Sequence, residues 1–223
     1  MVFLKIGVII PCYNEGDTIE KTIRSLMETG IFNEIIVVDD GSDDDTSVKA
    51  REMGVKCIRL DKNTGKGGAV REGLKAIDSE IVVLIDGDVG ESAGEIYKVV
   101  MPVMNNAADV AIAAFPKAKK KGGFGLVKGL TRMGIKLLTG KEVHSALSGQ
   151  RAYKREVLEK LWIPDGYGME FAMTVEALRN GYRIAEVEVN MTHRVTGRSL
   201  RDFLHRGRQF LDIFRALIHE VLR

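Results

Sequence analysis

The chain has 223 residues, of which 45 % are hydrophobic and 29 % are charged, as in an ordinary globular protein. Its formal net charge of +2 is too small to indicate a nucleic-acid-binding protein, so we expect no nucleic-acid partner. Cys12 and Cys57 lie in or beside apolar runs, which is typical of buried, reduced thiols. The N-terminus has no basic leader, and no apolar stretch approaches the roughly 20 residues of a membrane-spanning helix. We therefore expect a cytoplasmic protein with at most a peripheral contact on the inner face of a membrane.

Strands alternate with helices along the first ninety residues. Apolar runs predict strands at 5–10, 34–38, 55–60 and 81–85, and helical spacing predicts helices at 17–27, 42–53 and 69–77. This alternation predicts βαβ units in a mostly parallel sheet with right-handed crossovers. Because ligands of such sheets bind beyond the carboxyl ends of the strands, the polar residues that follow each strand are the candidate site.

The second half has a looser pattern. We predict a helix at 92–104, a strand at 109–114, a basic glycine-rich loop at 117–123, a basic amphipathic helix at 124–138, a strand at 148–153, a helix at 169–180, a strand at 182–189 and an amphipathic helix at 199–222. No repeat or linker interrupts this order, so we expect a single domain over residues 1–223.

Asp86-Gly87-Asp88 ends the purely apolar run at 81–85. Such a run is typical of a strand that is buried on both faces, so its end should present both carboxylates at the sheet edge. Two carboxylates at i and i+2 can coordinate one divalent cation, and Gly87 permits a tight turn between them. Hard oxygen ligands favour Mg²⁺ or Mn²⁺. The alternative interpretation, an acidic turn that merely ends a strand, is equally supported for an isolated motif.

Two further polar segments follow predicted strands. Asp39 and Asp40 exceed what a helix cap at Ser42 requires, and a carboxylate there can accept a hydrogen bond from a base N–H. Lys66 lies among glycines at 65–68, where the backbone can approach a ligand and the lysine offers a point charge to phosphate. The spacing is not that of a P-loop.

Four motifs, in this order, resemble the nucleotide-sugar transferases of glycosyltransferase family 2: Pro-Cys-Tyr-Asn-Glu at 11–15, Val-Val-Asp-Asp-Gly-Ser at 37–42, Gly-Lys-Gly-Gly-Ala at 65–69 and Asp-Gly-Asp at 86–88. The resemblance implies an α/β protein with the GT-A fold, a mostly parallel Rossmann-like sheet flanked by helices with a C-terminal amphipathic helix. It divides the chain into a nucleotide-binding half, 1–90, and an acceptor-binding half, 91–223. It further implies a UDP- or GDP-linked sugar donor and Mg²⁺ or Mn²⁺.

The resemblance also implies roles for individual residues of the first half. The residues implied for nucleotide-sugar binding are Pro11, Tyr13, Glu15, Asp39, Asp40, Lys66, Asp86 and Gly87. Lys66 is implied to lie near the base or the phosphates, and Asp86 and Asp88 to bind the metal under the diphosphate.

The second half resembles two subfamilies. Residues 148–153 and 194–199 are similar to segments of polyprenyl-phosphate sugar transferases, and the similarity implies phosphate contacts by Arg151, Arg194 and Arg198. Gln150 departs from the phenylalanine that those enzymes usually carry, and Gly90 departs from their frequent third polar metal ligand.

Residues 166–170 and 192–194 instead resemble the glucosyl-3-phosphoglycerate synthases, which act on a small phosphorylated acceptor. This similarity implies that His193 is a metal ligand and that Glu170 positions the acceptor or acts as a base. A strand-end histidine bonded to backbone and a carboxylate that opens a helix are the structural alternatives.

Three functions therefore stay open at this point. The first is a transferase to polyprenyl phosphate at a membrane surface, with the amphipathic helices at 124–138 and 199–222 on the lipid; these helices could equally pack on the core or on a second subunit of a homodimer. The second is a transferase to a small phosphorylated or hydroxyl acceptor. The third is a nucleotidyltransferase or a nucleotide-sugar binding protein.

Overall fold

The computed structural model describes residues 4–116, 125–166 and 168–191. The seven strands of this part are β1 Ile6–Cys12, β2 Glu34–Asp39, β3 Lys56–Arg59, β4 Ile81–Leu84, β5 Val110–Ala114, β6 Arg151–Lys154 and β7 Ile184–Glu188. Its α-helices are α1 Ile19–Glu28, α2 Thr46–Glu52, α3 Lys66–Ala76, α4 Tyr97–Met104, α5 Gly125–Thr139, α6 Arg155–Leu158 and α7 Met169–Arg179, and a 3-10 helix, Gly90–Ile96, precedes α4. The loop at 117–123 and the helix at 199–222 that the sequence predicts lie outside the described residues.

All seven strands form one sheet in the order β3-β2-β1-β4-β6-β5-β7. β6 runs antiparallel to both of its neighbours, and the other neighbouring pairs are parallel, which confirms the prediction of a mostly parallel sheet. The antiparallel direction has a consequence for the site, because Arg151 pairs with Leu84. The residues just before β6 therefore lie beside the residues just after β4.

β4 lies at the centre of the core and is buried on both faces, as its sequence predicts. Val82 and Leu84 pack into one apolar layer with residues of α3, α5, α6 and α7. Ile81 and Val83 pack into the opposite layer with residues of α1, α2, the 3-10 helix and α4. Each of the four side chains is at most 2 % exposed, so β4 presents polar side chains only beyond its end.

Several element boundaries differ from those that the sequence predicts. α3 begins at Lys66, three residues earlier than predicted, directly after Gly65, whose φ of 82° is a left-handed conformation that glycine adopts at little cost. The predicted helix at 92–104 is split into the 3-10 helix and α4. Ser42 is not a helix cap, since α2 begins at Thr46 and the Ser42 hydroxyl accepts a hydrogen bond from the Asn14 N–H at 2.9 Å.

Both cysteines are free thiols, as the sequence predicts, but only Cys12 is buried, and Cys57 is partly exposed. Cys12 is buried at the end of β1, and this burial raises the pKa of its thiol above the ordinary value, with the Asp39 carboxylate adding to the effect. Within the described ranges, no helix combines the length and the apolarity that crossing a membrane requires.

Asp109 lies just before β5, at the sheet edge opposite the ends of β1 and β4, and bonds the last residue of β6 and the residue before β7. Its carboxylate accepts hydrogen bonds from Arg183 at 2.9 Å and pairs with Lys154 at 2.7 Å, and its side chain is 14 % exposed. The Arg183 guanidinium, followed by Lys154, holds the pKa of Asp109 well below its ordinary value. A carboxylate whose pKa is lower in the folded state stabilises the fold above the pKa of the unfolded chain, and the gain is lost as the pH falls.

We therefore expect Asp109→Asn to lower the free energy of unfolding by roughly 1–3 kcal/mol at pH 7, in the range of hydrogen bonds to charged groups. The deficit should shrink as the pH falls below about 4, the pKa of an unperturbed Asp. Urea denaturation of the wild type and of Asp109→Asn at pH 7 and pH 3 measures the loss of stability at each pH. Asp78→Asn is the matched control, because the Asp78 side chain is 89 % exposed and should contribute little. An equal deficit at both pH values would contradict this account.

Candidate active site

Asp86 lies two residues beyond the end of β4 and binds side chains from two distant parts of the chain. Its Oδ1 is 2.5 Å from Lys66 Nζ, and its Oδ2 accepts a hydrogen bond from Gln150 Nε2 at 2.9 Å. The Asp86 side chain is 32 % exposed, so the carboxylate also faces solvent. The end of β4 therefore carries a polar cluster whose partners come from α3 and from the entry to β6.

Lys66 bridges two carboxylates. Its Nζ donates to Glu170 Oε1 at 2.8 Å as well as contacting Asp86, and Glu170 lies in the first turn of α7 with 9 % of its surface exposed. Burial lowers the pKa of Lys66, but the attraction of Asp86 and then Glu170 outweighs this effect, so the pKa lies above its ordinary value. Lys66 is therefore a permanent cation between two acids. We call Lys66, Asp86, Gln150 and Glu170 the Lys66 cluster.

Gly149 has no side chain, and the Lys66 cluster occupies the space where a side chain would lie. A Cβ at this position would overlap Lys66 Nζ and would lie 2.6 Å from Asp86 Oδ2. The backbone of the segment before β6 can approach the cluster this closely only because it carries no side chain.

We expect Gly149→Ala to lower the rate of any reaction at this site by roughly 10- to 100-fold, because it displaces the Lys66 ammonium by about 1 Å. Stability should fall less than it would after a clash with backbone, since the obstructed atoms are the ends of the Lys66 and Asp86 side chains. Gly67→Ala is the contrasting control, because its Cβ would overlap the backbone oxygen of Pro164, which cannot move so easily. Turnover and thermal unfolding, measured for both variants, test whether Gly149→Ala affects mainly the reaction and Gly67→Ala mainly the stability. A Gly149→Ala protein with wild-type turnover would contradict it.

The turn that carries Asp88 is held from behind by a buried threonine. Thr22 of α1 is fully buried, and its hydroxyl donates to the carbonyl oxygen of Gly87 at 2.9 Å and accepts from the Gly90 N–H at 2.8 Å. The left-handed residue of this turn is Gly90, with φ 63°, and not Gly87. Gly87 instead lies where space is tight, because a Cβ there would lie 3.0 Å from Cys12 Cβ.

Thr22 is absent from the residues that the sequence predicts for the site. The only feature of the sequence that could have identified Thr22 is its hydroxyl, which lies on the same buried face of α1 as Ile19, Ile23 and Leu26. A polar side chain on an apolar helix face must find a partner, and in this protein the partner is the turn around Asp88.

Asp39 and Asp40 are buried and bonded to protein atoms. Asp40 accepts hydrogen bonds from the Thr64 N–H at 2.7 Å and from the Gly65 N–H at 2.8 Å, and so holds the segment that leads into Lys66. Asp39 accepts from the Ser42 N–H at 2.9 Å and from the Ser47 hydroxyl. Both carboxylates thus shape the loops at this edge, and their contact with a nucleoside stays a prediction.

The β1 end lies at the same edge as the β4 end. Pro11 is buried in β1, whereas the Tyr13 side chain beyond the strand is 42 % exposed, with its hydroxyl 3.5 Å from Asp43 Oδ2. Glu15 Oε2 accepts a hydrogen bond from the Thr18 hydroxyl at 3.0 Å. The exposed ring of Tyr13 is available to a ligand. Contact of Pro11, Tyr13 and Glu15 with a nucleoside stays a prediction.

The structure does not bring Arg151 into the Lys66 cluster. Its side chain is 1 % exposed, Nε donates to the Ser148 oxygen at 2.7 Å, and Nη2 donates to the Ala146 oxygen at 2.5 Å. Nη1 reaches the hydroxyls of Tyr153 and Thr174 at 3.2 and 3.0 Å. A direct phosphate contact does not fit this position, because each guanidinium nitrogen already donates to an internal oxygen.

His193, Arg194 and Arg198 lie outside the described residues, so their predicted roles stay predictions. Among the residues that are described, no three His, Cys, Asp or Glu side chains form a group that could hold a metal ion. The predicted metal ligands within this part are Asp86 and Asp88 alone.

Comparison with known proteins agrees with this geometry. The family model for glycosyl transferase family 2 matches residues 7–162. The chain is 29 % identical over 219 residues to glycosyltransferase AglJ of Haloferax volcanii, which covers 93 % of this chain and 70 % of that protein. It is 30 % identical over 209 residues to dolichol-phosphate mannosyltransferase of Pyrococcus furiosus, covering 87 % of this chain and 58 % of that enzyme.

Among solved structures, the fold is similar to that of glucosyl-3-phosphoglycerate synthase from Mycobacterium tuberculosis, with a TM-score of 0.82 and 27 % identity over 97 % of this chain and 80 % of that one. That enzyme was crystallised with Mn²⁺, uridine diphosphate and glucosyl-3-phosphoglycerate, and also with Mg²⁺ and uridine diphosphate.

Proposed function

The chain belongs to glycosyl transferase family 2 and is a glycosyltransferase with the GT-A fold, and from this premise we propose that it transfers a sugar from a UDP- or GDP-linked donor to a polyprenyl phosphate at a membrane surface. The observation that carries the donor half of the proposal is the Lys66 cluster. Four chain segments converge on it at the carboxyl end of β4, where ligands of parallel sheets bind.

The acidic turn after β4 is the site that we assign to a divalent cation. Mg²⁺ is usually held by one or two carboxylates together with substrate phosphates, so Asp86 and Asp88 suffice as a protein ligand set when a nucleoside diphosphate supplies the remaining oxygens. When bound, such an ion supplies Lewis-acid stabilisation of the diphosphate leaving group. Mg²⁺ or Mn²⁺ is therefore the cofactor that we propose.

Lys66 and Glu170 have distinct parts in this reaction. The Lys66 ammonium stays charged and can stabilise the diphosphate as the sugar C1–O bond breaks. Glu170 Oε1 already accepts a hydrogen bond from Lys66, which reduces its availability as a general base. A phosphate acceptor is an anion at neutral pH and needs no base, so this arrangement supports a phosphate acceptor over a hydroxyl.

A partly apolar, basic helix face supports the membrane location of the acceptor. On α5, Met133 and Leu137 are 56 % and 78 % exposed, and Arg132 and Lys136 are exposed beside them. Apolar side chains flanked by basic ones are what an anionic lipid surface binds. The face could instead cover a second copy of the chain, which makes a homodimer the competing explanation.

A small phosphorylated acceptor is the second candidate. It is favoured by the similarity in fold to an enzyme that was crystallised with phosphoglyceric acid, and by the resemblance of residues 166–170 and 192–194 to such synthases. Under this alternative, Glu170 and His193 would contact the acceptor site and the metal, respectively.

One experiment separates these functions. The purified chain is incubated with Mn²⁺ or Mg²⁺ and a panel of nucleotide sugars, and released nucleoside diphosphate is measured with polyprenyl phosphate, with 3-phosphoglycerate and with neither. Release that depends on polyprenyl phosphate is the expected result, and release that depends on 3-phosphoglycerate would favour the second candidate. Pyrophosphate formed from a sugar phosphate and a nucleoside triphosphate would overturn both and identify a nucleotidyltransferase. Binding of a nucleotide sugar without turnover would identify a binding protein.

Liposome flotation tests the membrane location separately. The chain should float with anionic vesicles at low salt and much less at high salt, because the basic residues act through screened charge. Dimers in solution that do not float would favour a homodimer over the membrane contact.

A further inference from the structure

Gln150 is a buried polar residue whose carboxamide is bonded at both ends, at its nitrogen to Asp86 of the Lys66 cluster. It lies one residue before β6 and is 3 % exposed. Its Nε2 donates to Asp86 Oδ2 at 2.9 Å, and its Oε1 accepts a hydrogen bond from the Ser148 hydroxyl at 3.2 Å. A buried carboxamide needs partners for both ends, and here one of them is the central carboxylate of the site.

Gln150 completes a continuous line of polar contacts. The line runs from Ser148 through Gln150 to Asp86, and from Asp86 through Lys66 to Glu170. Asp86 therefore has a nitrogen donor on each oxygen, Lys66 on Oδ1 and Gln150 on Oδ2. Because terminal carboxylate torsions are broad, two donors on opposite oxygens are needed to hold the plane of the group.

Arg151 fixes the segment that presents Gln150. Its guanidinium donates to the carbonyl oxygens of Ala146 and Ser148, which precede Gln150, and to the Thr174 hydroxyl of α7. Thr174 in turn donates to the backbone oxygen of Glu170 at 2.7 Å. One buried side chain thus ties the segment that carries Gln150 to the helix that carries Glu170.

We propose that Gln150 is a positioning residue of the sugar transfer, which acts by fixing the Asp86 carboxylate while Arg151 fixes the backbone around Gln150. This inference rests on the proposed function, because it assigns Gln150 a role in that reaction. Gln150 need not touch substrate. Its contribution is the orientation of Asp86 before the nucleotide sugar binds, which a carboxamide supplies and an apolar side chain cannot.

The test compares Gln150→Met with the wild type. Methionine has a similar length and no hydrogen-bond donor for Asp86. We expect kcat/KM to fall by about 10- to 100-fold, the fold-change that corresponds to one hydrogen bond to a charged group. Isothermal titration of uridine diphosphate and guanosine diphosphate in the presence of Mn²⁺ should show weaker binding of the preferred nucleotide. The melting temperature should stay close to that of the wild type, because Gln150→Met keeps the buried volume.

Three further variants and one matched control separate positioning from general destabilisation. Asp86→Ala and Asp86→Ala/Gln150→Met should bind the nucleotide equally weakly, since Gln150 acts only through Asp86. Ser148→Ala should give a smaller loss in the same direction. Asn180→Leu is the matched control, because it removes a carboxamide that bonds the Glu176 oxygen at 2.9 Å on the exposed end of α7, and it should behave as wild type.

Gln150→Met with wild-type kcat/KM and wild-type nucleotide affinity would overturn the inference, as would an equal loss from Gln150→Met in the presence and absence of Asp86. If Gln150→Met fails to fold, Gln150→Leu provides the same comparison with a different apolar shape. Failure of the proposed function is distinguishable, because the wild type would then release no nucleoside diphosphate from any nucleotide sugar.

Discussion

Replacement of Asp88 by Asn is expected to lower sugar transfer by about 100-fold or more while the fold is retained. A divalent cation that binds under the diphosphate contributes several kcal/mol to leaving-group stabilisation, and each 1.36 kcal/mol is about a factor of ten in rate. Asn keeps the size of Asp88 but loses the negative charge that the cation requires. Within the described residues the predicted metal ligands are Asp86 and Asp88, so Asp88→Asn removes one of the two carboxylate charges there.

The measurement is released nucleoside diphosphate as a function of Mn²⁺ concentration, together with thermal unfolding. A higher Mn²⁺ requirement with an unchanged melting temperature would place the defect in metal binding. Glu91→Gln is the control, because Glu91 is a nearby carboxylate whose side chain is 82 % exposed in a surface pair with Lys21. Wild-type turnover of Asp88→Asn at limiting Mn²⁺ would remove Asp88 from the mechanism.

The part of this site that could be predicted from the sequence is the part that follows from parallel strands. The apolar run of β4 predicts a strand buried on both faces, and parallel order brings the ends of β1, β2 and β4 to one edge. Lys66 could be predicted from its glycine-rich segment. The four motifs that carry the family resemblance all lie in this regular half, within residues 11–88.

The rest depends on contacts that local patterns do not encode. Hydrophobic periodicity predicts a strand near 148–153 but not its direction, and only the antiparallel direction places Gln150 beside Asp86. The contact of Lys66 with Glu170 joins residues 104 positions apart. The sequence alone does not distinguish an arginine that binds phosphate from one that donates to backbone carbonyl oxygens. The burial of Arg151 therefore follows only from the tertiary packing.

Asp40 illustrates a second limit of motif-based prediction. A carboxylate at a strand end can bind a ligand or can hold the loop that binds it, and the same residue type serves both purposes. In this protein Asp40 accepts two backbone N–H groups from the segment before Lys66. Its position in a family motif is therefore compatible with a role in shaping the site as well as with direct contact.

Lys66→Met is expected to reduce both turnover and stability, for separable reasons. Turnover should fall by about 100-fold, since the ammonium that we propose to stabilise the leaving diphosphate is removed. Stability should fall by roughly 1–3 kcal/mol, less than for a fully buried pair, because the side chains of Lys66, Asp86 and Glu170 are 27 %, 32 % and 11 % exposed. Because the pKa of Lys66 is raised in the folded state, the contribution of Lys66 to stability is complete at neutral pH. It is lost only as the pH rises through the raised pKa.

The double variant Lys66→Met/Glu170→Gln separates the two effects. Without Lys66, the Asp86 and Glu170 carboxylates lack the cation between them, and neutralising Glu170 removes the carboxylate that is more buried. We therefore expect the double variant to regain most of the lost stability in urea denaturation but none of the lost turnover. Lys75→Met is the control on the same helix, because its pair with Glu72 is exposed and should contribute little. Recovery of turnover in the double variant would show that Lys66 serves only to neutralise Glu170, and would remove it from leaving-group stabilisation.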